Sequence, residues 1–477
     1  MRHLILAAGV LALASTASAQ TDQRPNFVVF LIDDMRADDY GAAGAFPVET
    51  PSIDRLAREG MRFVHAFAAQ PLCSPSRASF LTGLYPHNHG IVDNTERGPA
   101  SHKLRTFPQQ LQAGGYETAY IGKWHMGEDD APRPGFDYWA VFRGQGSALR
   151  PILNMNGARR PFYGYVTDIL TDRAVEFLQA PRKKPFLLYL AHKQVHPNTG
   201  PSAIGGDGYI PAERHRGKYA DLEIKRRPNA AIVPRDKPAL MRKVDDLPQL
   251  GVETQTTDEE IRLRWESMLA IDESIGRVRA TLAAIGQLEN TVIVFAGDNG
   301  YFYGEHGLSF ERRLAYEESA GIPLVIRFPS MVKPGTVSDA LVLNVDVAPT
   351  LLDLARIRPS SPTDGRSLVP LLSGKTERWR NSILIEHFNE PRFPRTREMG
   401  YQAVRTRTHK YIRYVRLQGM DELYDLTADP FELNNLAADP AHASRLKELQ
   451  TELDRLLKET GASPGSTPAP PRHELRR

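Results

Sequence analysis

The only cysteine of this 477-residue chain lies in Cys73-Ser-Pro-Ser-Arg77, directly ahead of an apolar run that reads as a helix. Other groupings could join it in chemistry. Asp33-Asp34 and Asp298-Asn299 offer oxygen ligands only. Hard donors of this kind suit Ca²⁺ or Mg²⁺ rather than zinc. Taken singly, each pair could equally be a turn or a helix cap. Lys123, His125, His196, Arg77 and Arg312 could form a cationic nest beside such an ion, able to hold a tetrahedral oxyanion and stabilise charge developing on it. Cys73 has two ordinary readings: a thiolate nucleophile activated at a helix N-terminus by Arg77, or silent buried packing. Neither explains a hard dication beside a soft thiol. His87 and His89, which follow, read as packing or loop residues.

The elements that must position these residues are short apolar runs. Asn26–Ile32, Glu117–Ile121, Pro185–Leu190 and Thr291–Phe295 are continuously rather than alternately apolar, the pattern of parallel strands covered on both faces. Helical patterns separate them. Thr106 offers an N-cap to a stretch with an early proline and a terminal Gly114. Residues 257–285 place Ile261, Trp265, Met268, Ile275, Val278, Leu282 and Ile285 near helical spacing. Strands alternating with helices predict a doubly wound α/β domain. Each strand is followed by one of the polar groups: Asp33-Asp34, Gly122-Lys-Trp-His125, His192-Lys-Gln-Val-His196 and Asp298-Asn299-Gly300. A single sheet would carry them all to the edge where ligands bind in open α/β folds.

Composition sets the outer bounds. With 60 basic and 57 acidic residues the net charge is only +3, which argues against general nucleic-acid binding. The first 19 residues read as a secretory signal, with a basic start, an apolar stretch from Leu4 to Ala14 and a small-residue cleavage pattern at Ala17-Ser18-Ala19. No cysteine follows that would take a lipid anchor, and no later segment is long and apolar enough to span a membrane. A soluble, periplasmic or secreted protein is expected. The expected organisation is a catalytic domain over 25–365, a small α+β domain over 366–460 and a disordered tail over 461–477. The polar segment 200–256 reads as a surface insertion.

The residues around Cys73 resemble a known family. Cys73-Ser-Pro-Ser-Arg77, extended by Ala78-Ser-Phe-Leu-Thr-Gly83, is similar to the signature of type I sulfatases. Gly115-Tyr-Glu-Thr-Ala-Tyr-Ile-Gly-Lys-Trp-His125 resembles the second signature. The likeness continues through Gly135-Phe-Asp-Tyr-Trp139, Gly297-Asp-Asn-Gly300, Gly304-Glu-His-Gly-Leu308 and Glu422-Leu-Tyr-Asp-Leu426. Bacterial carbohydrate sulfatases, including the N-acetylglucosamine-6-sulfatase-like group, resemble it most.

The resemblance implies an alkaline-phosphatase-like α/β fold: a large mixed sheet flanked by helices, with the smaller C-terminal domain. It implies that a dedicated maturase oxidises Cys73 to Cα-formylglycine, whose hydrate is a hard oxygen nucleophile. Asp33, Asp34, Asp298 and Asn299, with the modified Cys73, are then the calcium ligands. One diol oxygen attacks sulfur as the alcohol leaves, and loss of the second hydroxyl proton expels sulfate and regenerates the aldehyde. Arg77 would orient the modified residue, Lys123 would contact it and a sulfate oxygen, His125 would be the base for elimination, and His196 would contact sulfate and protonate the leaving oxygen. Arg312 stands where the family usually has a lysine, unless an offset of one makes Arg313 the counterpart. Arginine binds sulfate but is a poorer proton donor. The substrate implied is a sulfated saccharide, with residues 142–158 and 200–225 as recognition loops. Phosphonate monoester or phosphodiester hydrolysis on the same fold, and non-catalytic binding of sulfated glycans by an unmodified Cys73, are the alternatives.

Overall fold

The computed structural model describes residues 24–95, 97–199, 207–375, 378–390 and 393–462. The signal segment, nearly all of the C-terminal tail and the start of the 200–225 loop lie outside the described residues.

Ten strands form one mixed sheet. They are β1 (Asn26–Ile32), β2 (Met61–Phe67), β3 (Glu117–Lys123), β4 (Tyr138–Phe142), β5 (Ile152–Met155), β6 (Ala158–Pro161), β7 (Phe186–His192), β8 (Thr291–Gly297), β9 (Leu324–Arg327) and β10 (Thr336–Leu343). Their order is β10-β2-β9-β8-β1-β7-β3-β4-β5-β6. The four strands read from their apolar runs, β8, β1, β7 and β3, are adjacent and parallel at its centre. Their continuous apolarity has the expected cause. Phe27, Val29 and Leu31 of β1 enter one core, while Val28, Phe30 and Ile32 enter another on the opposite face. β9 and β5, which run antiparallel to the other strands, make the sheet mixed.

The Asp258–Ala284 helix covers the second face, burying Ile261, Trp265, Met268, Ile275, Val278 and Leu282. Thr257 caps it through a capping box with Glu260, satisfying donors the first turn leaves free. On the first face the Phe107–Ala113 helix starts at Thr106, as its sequence predicts.

A second, antiparallel sheet contains β11 (Ser382–His387), β12 (Tyr401–Thr406), β13 (His409–Tyr414) and β14 (Glu422–Asp425). The amphipathic Ala443–Thr460 helix packs on it through Leu449, Leu453, Leu456 and Leu457. Burying side chains of this size contributes about 1.5–3 kcal/mol each. The core beneath this sheet also takes in Phe67, Leu341 and Leu343 of the large sheet.

Buried polar residues complete the junction. Lys410 pairs with Glu317 and Glu432 at 2.8 Å each. His306, Glu318 and Glu432 lie close enough together to ligate an ion. Both Glu432 oxygens are already engaged, by Lys410 and by the Glu317 amide. The Asn229 side-chain amide lies between Glu318 and His306. This cluster is a joint between elements. Asn229 and the buried Lys237 belong to the segment read as a surface insertion. Its described part is instead partly interior, because its polar side chains find buried partners.

Candidate active site

The polar groups after β1, β3, β7 and β8 meet at one end of the sheet, as parallel alignment requires. Gly122 shows how closely the strands approach there. Its φ is +110°, and an added Cβ would lie 1.9 Å from the Ala191 carbonyl oxygen of β7. Only glycine fits between β3 and β7 at this point. The following residues, Lys123 and His125, leave the strand end pointing into a buried polar centre.

Cys73 begins the Cys73–Thr82 helix and is fully buried. Its Sγ lies 3.8 Å from Asp34 Oδ1 and 4.0 Å from Arg312 Nη2. One turn on, Arg77 donates to the Lys123 carbonyl at 2.7 Å and pairs with Asp298 Oδ2 at 2.8 Å and Asp33 Oδ1 at 3.3 Å. Lys123 Nζ donates to Asp33 Oδ2 and, at 2.6 Å, to Gln145 Oε1. Arg312 Nε pairs with Asp34 Oδ1 at 2.7 Å, and its Nη2 lies 3.2 Å from His196 Nε2. Arg313 is turned away, paired with Glu390 and stacked on Phe393. Of the two adjacent arginines, Arg312 is therefore the one in the centre. His192 also faces elsewhere, bonded to Ser274 at 3.0 Å.

Asp34 and His125 have φ of +55° and +53°. Residues other than glycine rarely occupy this left-handed region, and it recurs at functional sites. The His125 backbone is held by Ser74 Oγ, which donates to its carbonyl. His196 Nδ1 lies 2.7 Å from the Pro197 carbonyl. This contact assigns the proton to Nδ1 and leaves Nε2 to accept from Arg312.

The donor set fits a hard cation. Asp33 Oδ1, Asp34 Oδ2, Asp298 Oδ2 and Asn299 Oδ1 are buried and accept no hydrogen bond. Their remaining contacts are the Arg77 ion pairs and a 3.9 Å approach of His196 Nε2 to Asp34 Oδ2. The other oxygens of Asp34 and Asp298 are committed: Asn299 Nδ2 donates to Asp34 Oδ1, and the Asp34 and Asn299 amides donate to Asp298 Oδ1. These bonds fix the set. Burial, with Asp33 and Asp34 adding to it, pushes the Asp298 carboxyl up to about 7. A divalent ion beside it would add positive charge that favours the ionised carboxylate.

Electrostatics also divides the roles. Burial and the surrounding carboxylates push the Cys73 thiol far up, which disfavours a thiolate. Burial opposes ionisation of Asp33, but the Lys123 and Arg77 charges hold it well below the usual carboxylate range. Burial and Lys123 push both His125 and His196 well below the ordinary histidine value, so both rings are neutral.

Two contributors escape the sequence reading. Gln145, the partner of Lys123, lies between Gly144 and Gly146, both at positive φ, inside the 142–158 stretch read as a recognition loop and not as part of the centre. Tyr120 donates to the Lys123 carbonyl at 2.6 Å from within a strand that otherwise reads as core.

The sulfatase family model matches residues 25–357, and that described as N-sulphoglucosamine sulphohydrolase, C-terminal, matches 304–459. The chain is 32% identical to an N-acetylglucosamine-6-O-sulfatase of Bacteroides thetaiotaomicron over 96% of this chain and 90% of that protein. It is similar to the solved structure of BT4656 in complex with its substrate D-glucosamine-2-N,6-O-disulfate. That likeness has a TM-score of 0.79 and 30% identity, covering 92% of this chain and 98% of that one. The phosphonate monoester hydrolase of Agrobacterium radiobacter shares the fold, with a TM-score of 0.74 at 22% identity over 92% of this chain and 96% of that one. The family match spans the large sheet and every residue of the buried acid–cysteine centre: this chain belongs to the sulfatase family and is a sulfuric ester hydrolase.

Proposed function

We propose that the chain hydrolyses sulfate monoesters of saccharides, with position 73 converted to formylglycine and one Ca²⁺ held by Asp33, Asp34, Asp298 and Asn299. The observation that carries this reading is the convergence of four unbonded buried oxygens beside a cysteine that burial keeps protonated. A hydrated aldehyde at position 73 provides the hard oxygen nucleophile that the thiol does not. Bound calcium would polarise the sulfate oxygens and ease deprotonation of that nucleophile.

The chain's own residues then have defined work. Arg77, locked by Asp33, Asp298 and the Lys123 carbonyl, orients position 73. Arg312, which approaches Cys73 and His196, and Lys123, whose charge acts on Cys73, would oppose the charge of a sulfate at position 73. His125 is neutral with Nδ1 unbonded, as a base for the elimination step requires. His196 has Nδ1 committed to Pro197, so it donates from Nε2 only when doubly protonated. A bound sulfate anion favours that charged form. Arg312, which stays charged, then serves as an anion ligand rather than a proton donor.

Saccharide substrates are supported by the N-acetylglucosamine-6-O-sulfatase relative and by the glucosamine disulfate bound in the BT4656 structure. The signal-like N-terminus supports export to the periplasm or beyond. Among the described residues no helix is long and apolar enough to cross a membrane. Sulfate release from a panel of sulfated saccharides, measured beside a matched sulfate ester and phosphate diester, tests the reading. Preference for the sulfate ester, lost in Cys73→Ala, is expected. Equal or greater turnover of the diester, or undiminished activity in Cys73→Ala, contradicts it.

A further inference from the structure

Arg264 lies in the Asp258–Ala284 helix and its side chain is fully buried. Its guanidinium reaches under the active centre without touching a carboxylate oxygen closely. Nη2 donates to the backbone carbonyl of Asp34 at 2.6 Å. Nη1 lies 3.4 Å from the carbonyl of Val195, next to His196. The nearest carboxylate is Asp39, at 3.9 Å. Three phenol rings enclose the group, with the centroids of Tyr301, Tyr209 and Tyr303 at 4.1, 5.3 and 5.4 Å. Their hydroxyls are themselves linked: Tyr209 donates to Tyr301 at 2.9 Å, and Tyr303 donates to Asp39 at 2.7 Å.

A guanidinium buried without a close counter-ion is costly. A residue needed only to fill space would be apolar. The two carbonyls, the Tyr303 and Tyr209 hydroxyls, which accept from Nε at 3.3 Å and Nη1 at 3.4 Å, and the Tyr301 ring face compensate this cation, and they sit where two active-site segments come together. Asp34 has a left-handed backbone, which an extra bond on its carbonyl restrains. The Val195 amide already donates to the Asp33 carbonyl at 3.0 Å. Arg264 therefore bridges the acidic turn after β1 and the His196 segment after β7. The Tyr301 ring beneath it also lies 5.9 Å from Arg312.

We propose that Arg264 is a positioning residue: by holding the Asp34 and Val195 carbonyls, it fixes the Asp34 carboxylate and the His196 ring relative to each other for calcium binding and turnover. This rests on the calcium reading above. It acts through the backbone and contacts neither substrate nor ion.

The test uses full-length protein with Arg264→Met, which keeps length and burial, and Arg264→Lys, which keeps the charge but cannot serve both carbonyls with a planar fork. Calcium affinity is measured by titration calorimetry on chelator-treated protein, kcat and KM on an aryl sulfate, and thermal midpoint in parallel. Arg264→Met should bind calcium about tenfold more weakly and lose about tenfold in kcat with KM within about twofold, and Arg264→Lys should fall between it and wild type. Folded variants with wild-type calcium affinity and kcat, whatever their thermal midpoint, overturn the proposal. So does failure of both variants to fold, which would make Arg264 a determinant of the fold. A wild-type protein that binds no calcium contradicts the metal reading instead, and the kcat comparison then still judges Arg264.

Discussion

At the scale of single residues the centre is a balance of three buried carboxylates against Arg77, Lys123 and Arg312, with a protonated thiol among them. Arg312 is the most informative of these cations. It binds Asp34 and approaches both Cys73 and His196. Arg312→Ala should lower kcat by about a hundredfold or more, as expected for removing a charged donor at a developing anion. Arg312→Lys should retain activity within about tenfold, because its point charge reaches the same anion with different geometry. Steady-state kinetics on one sulfate ester checks both; an alanine variant close to wild type would remove Arg312 from the catalytic set. Most of these residues are legible in sequence because hard ligands and cations follow each apolar run. Choosing between Arg312 and Arg313 is not, since neighbours in a loop differ by orientation alone. The pairings of Arg312 with Asp34 and of Arg313 with Glu390, each distant in sequence, distinguish them.

At the scale of elements, the central strands were readable because both their faces are apolar, and the long helix because its buried stripe and its cap agree. The edge was less so. β6 is Ala-Arg-Arg-Pro and wholly exposed, so no apolar pattern announces it; it exists by pairing with β5. Ties between elements were equally hidden. Glu59, ending the Pro51–Glu59 helix, accepts from Arg279 of the long helix at 2.7 Å and from Arg327 of β9 at 2.8 Å. Burial acts against its ionisation, yet bonds from Arg55, Arg279 and Arg327 hold its carboxyl at about 2. The folded value lies below the unfolded one, so the stabilisation is present at neutral pH and is lost as pH falls from about 4.5 toward 2. Glu59→Gln should cost about 2 kcal/mol at pH 7. Urea unfolding of both proteins should show that difference constant near neutrality and shrinking below pH ~4.5; a pH-independent difference would mean lost packing instead.

At the scale of the molecule, the small sheet and the large sheet share a core and a buried charge network. Lys410 of β13 has Glu317 and Glu432 as its partners and no exposed surface. Lys410→Met leaves the buried Glu432 without its counter-charge, while Glu317 keeps Arg405 at 3.1 Å, and should destabilise the protein by about 3–5 kcal/mol. Denaturant unfolding measures this, and a loss under about 1 kcal/mol would mean the pair contributes no more than a surface ion pair. The same network places Glu317 and Glu318 just after the segment that carries Arg312, so the C-terminal elements brace one wall of the active centre. On the proposed reading this centre works through an oxygen nucleophile made from the chain's one cysteine. Peptide mass spectrometry of position 73, on protein that is turning over a sulfate ester, tests it most directly. The expected result is an aldehyde or its hydrate in place of the thiol; full turnover by protein carrying only unmodified Cys73 would contradict it.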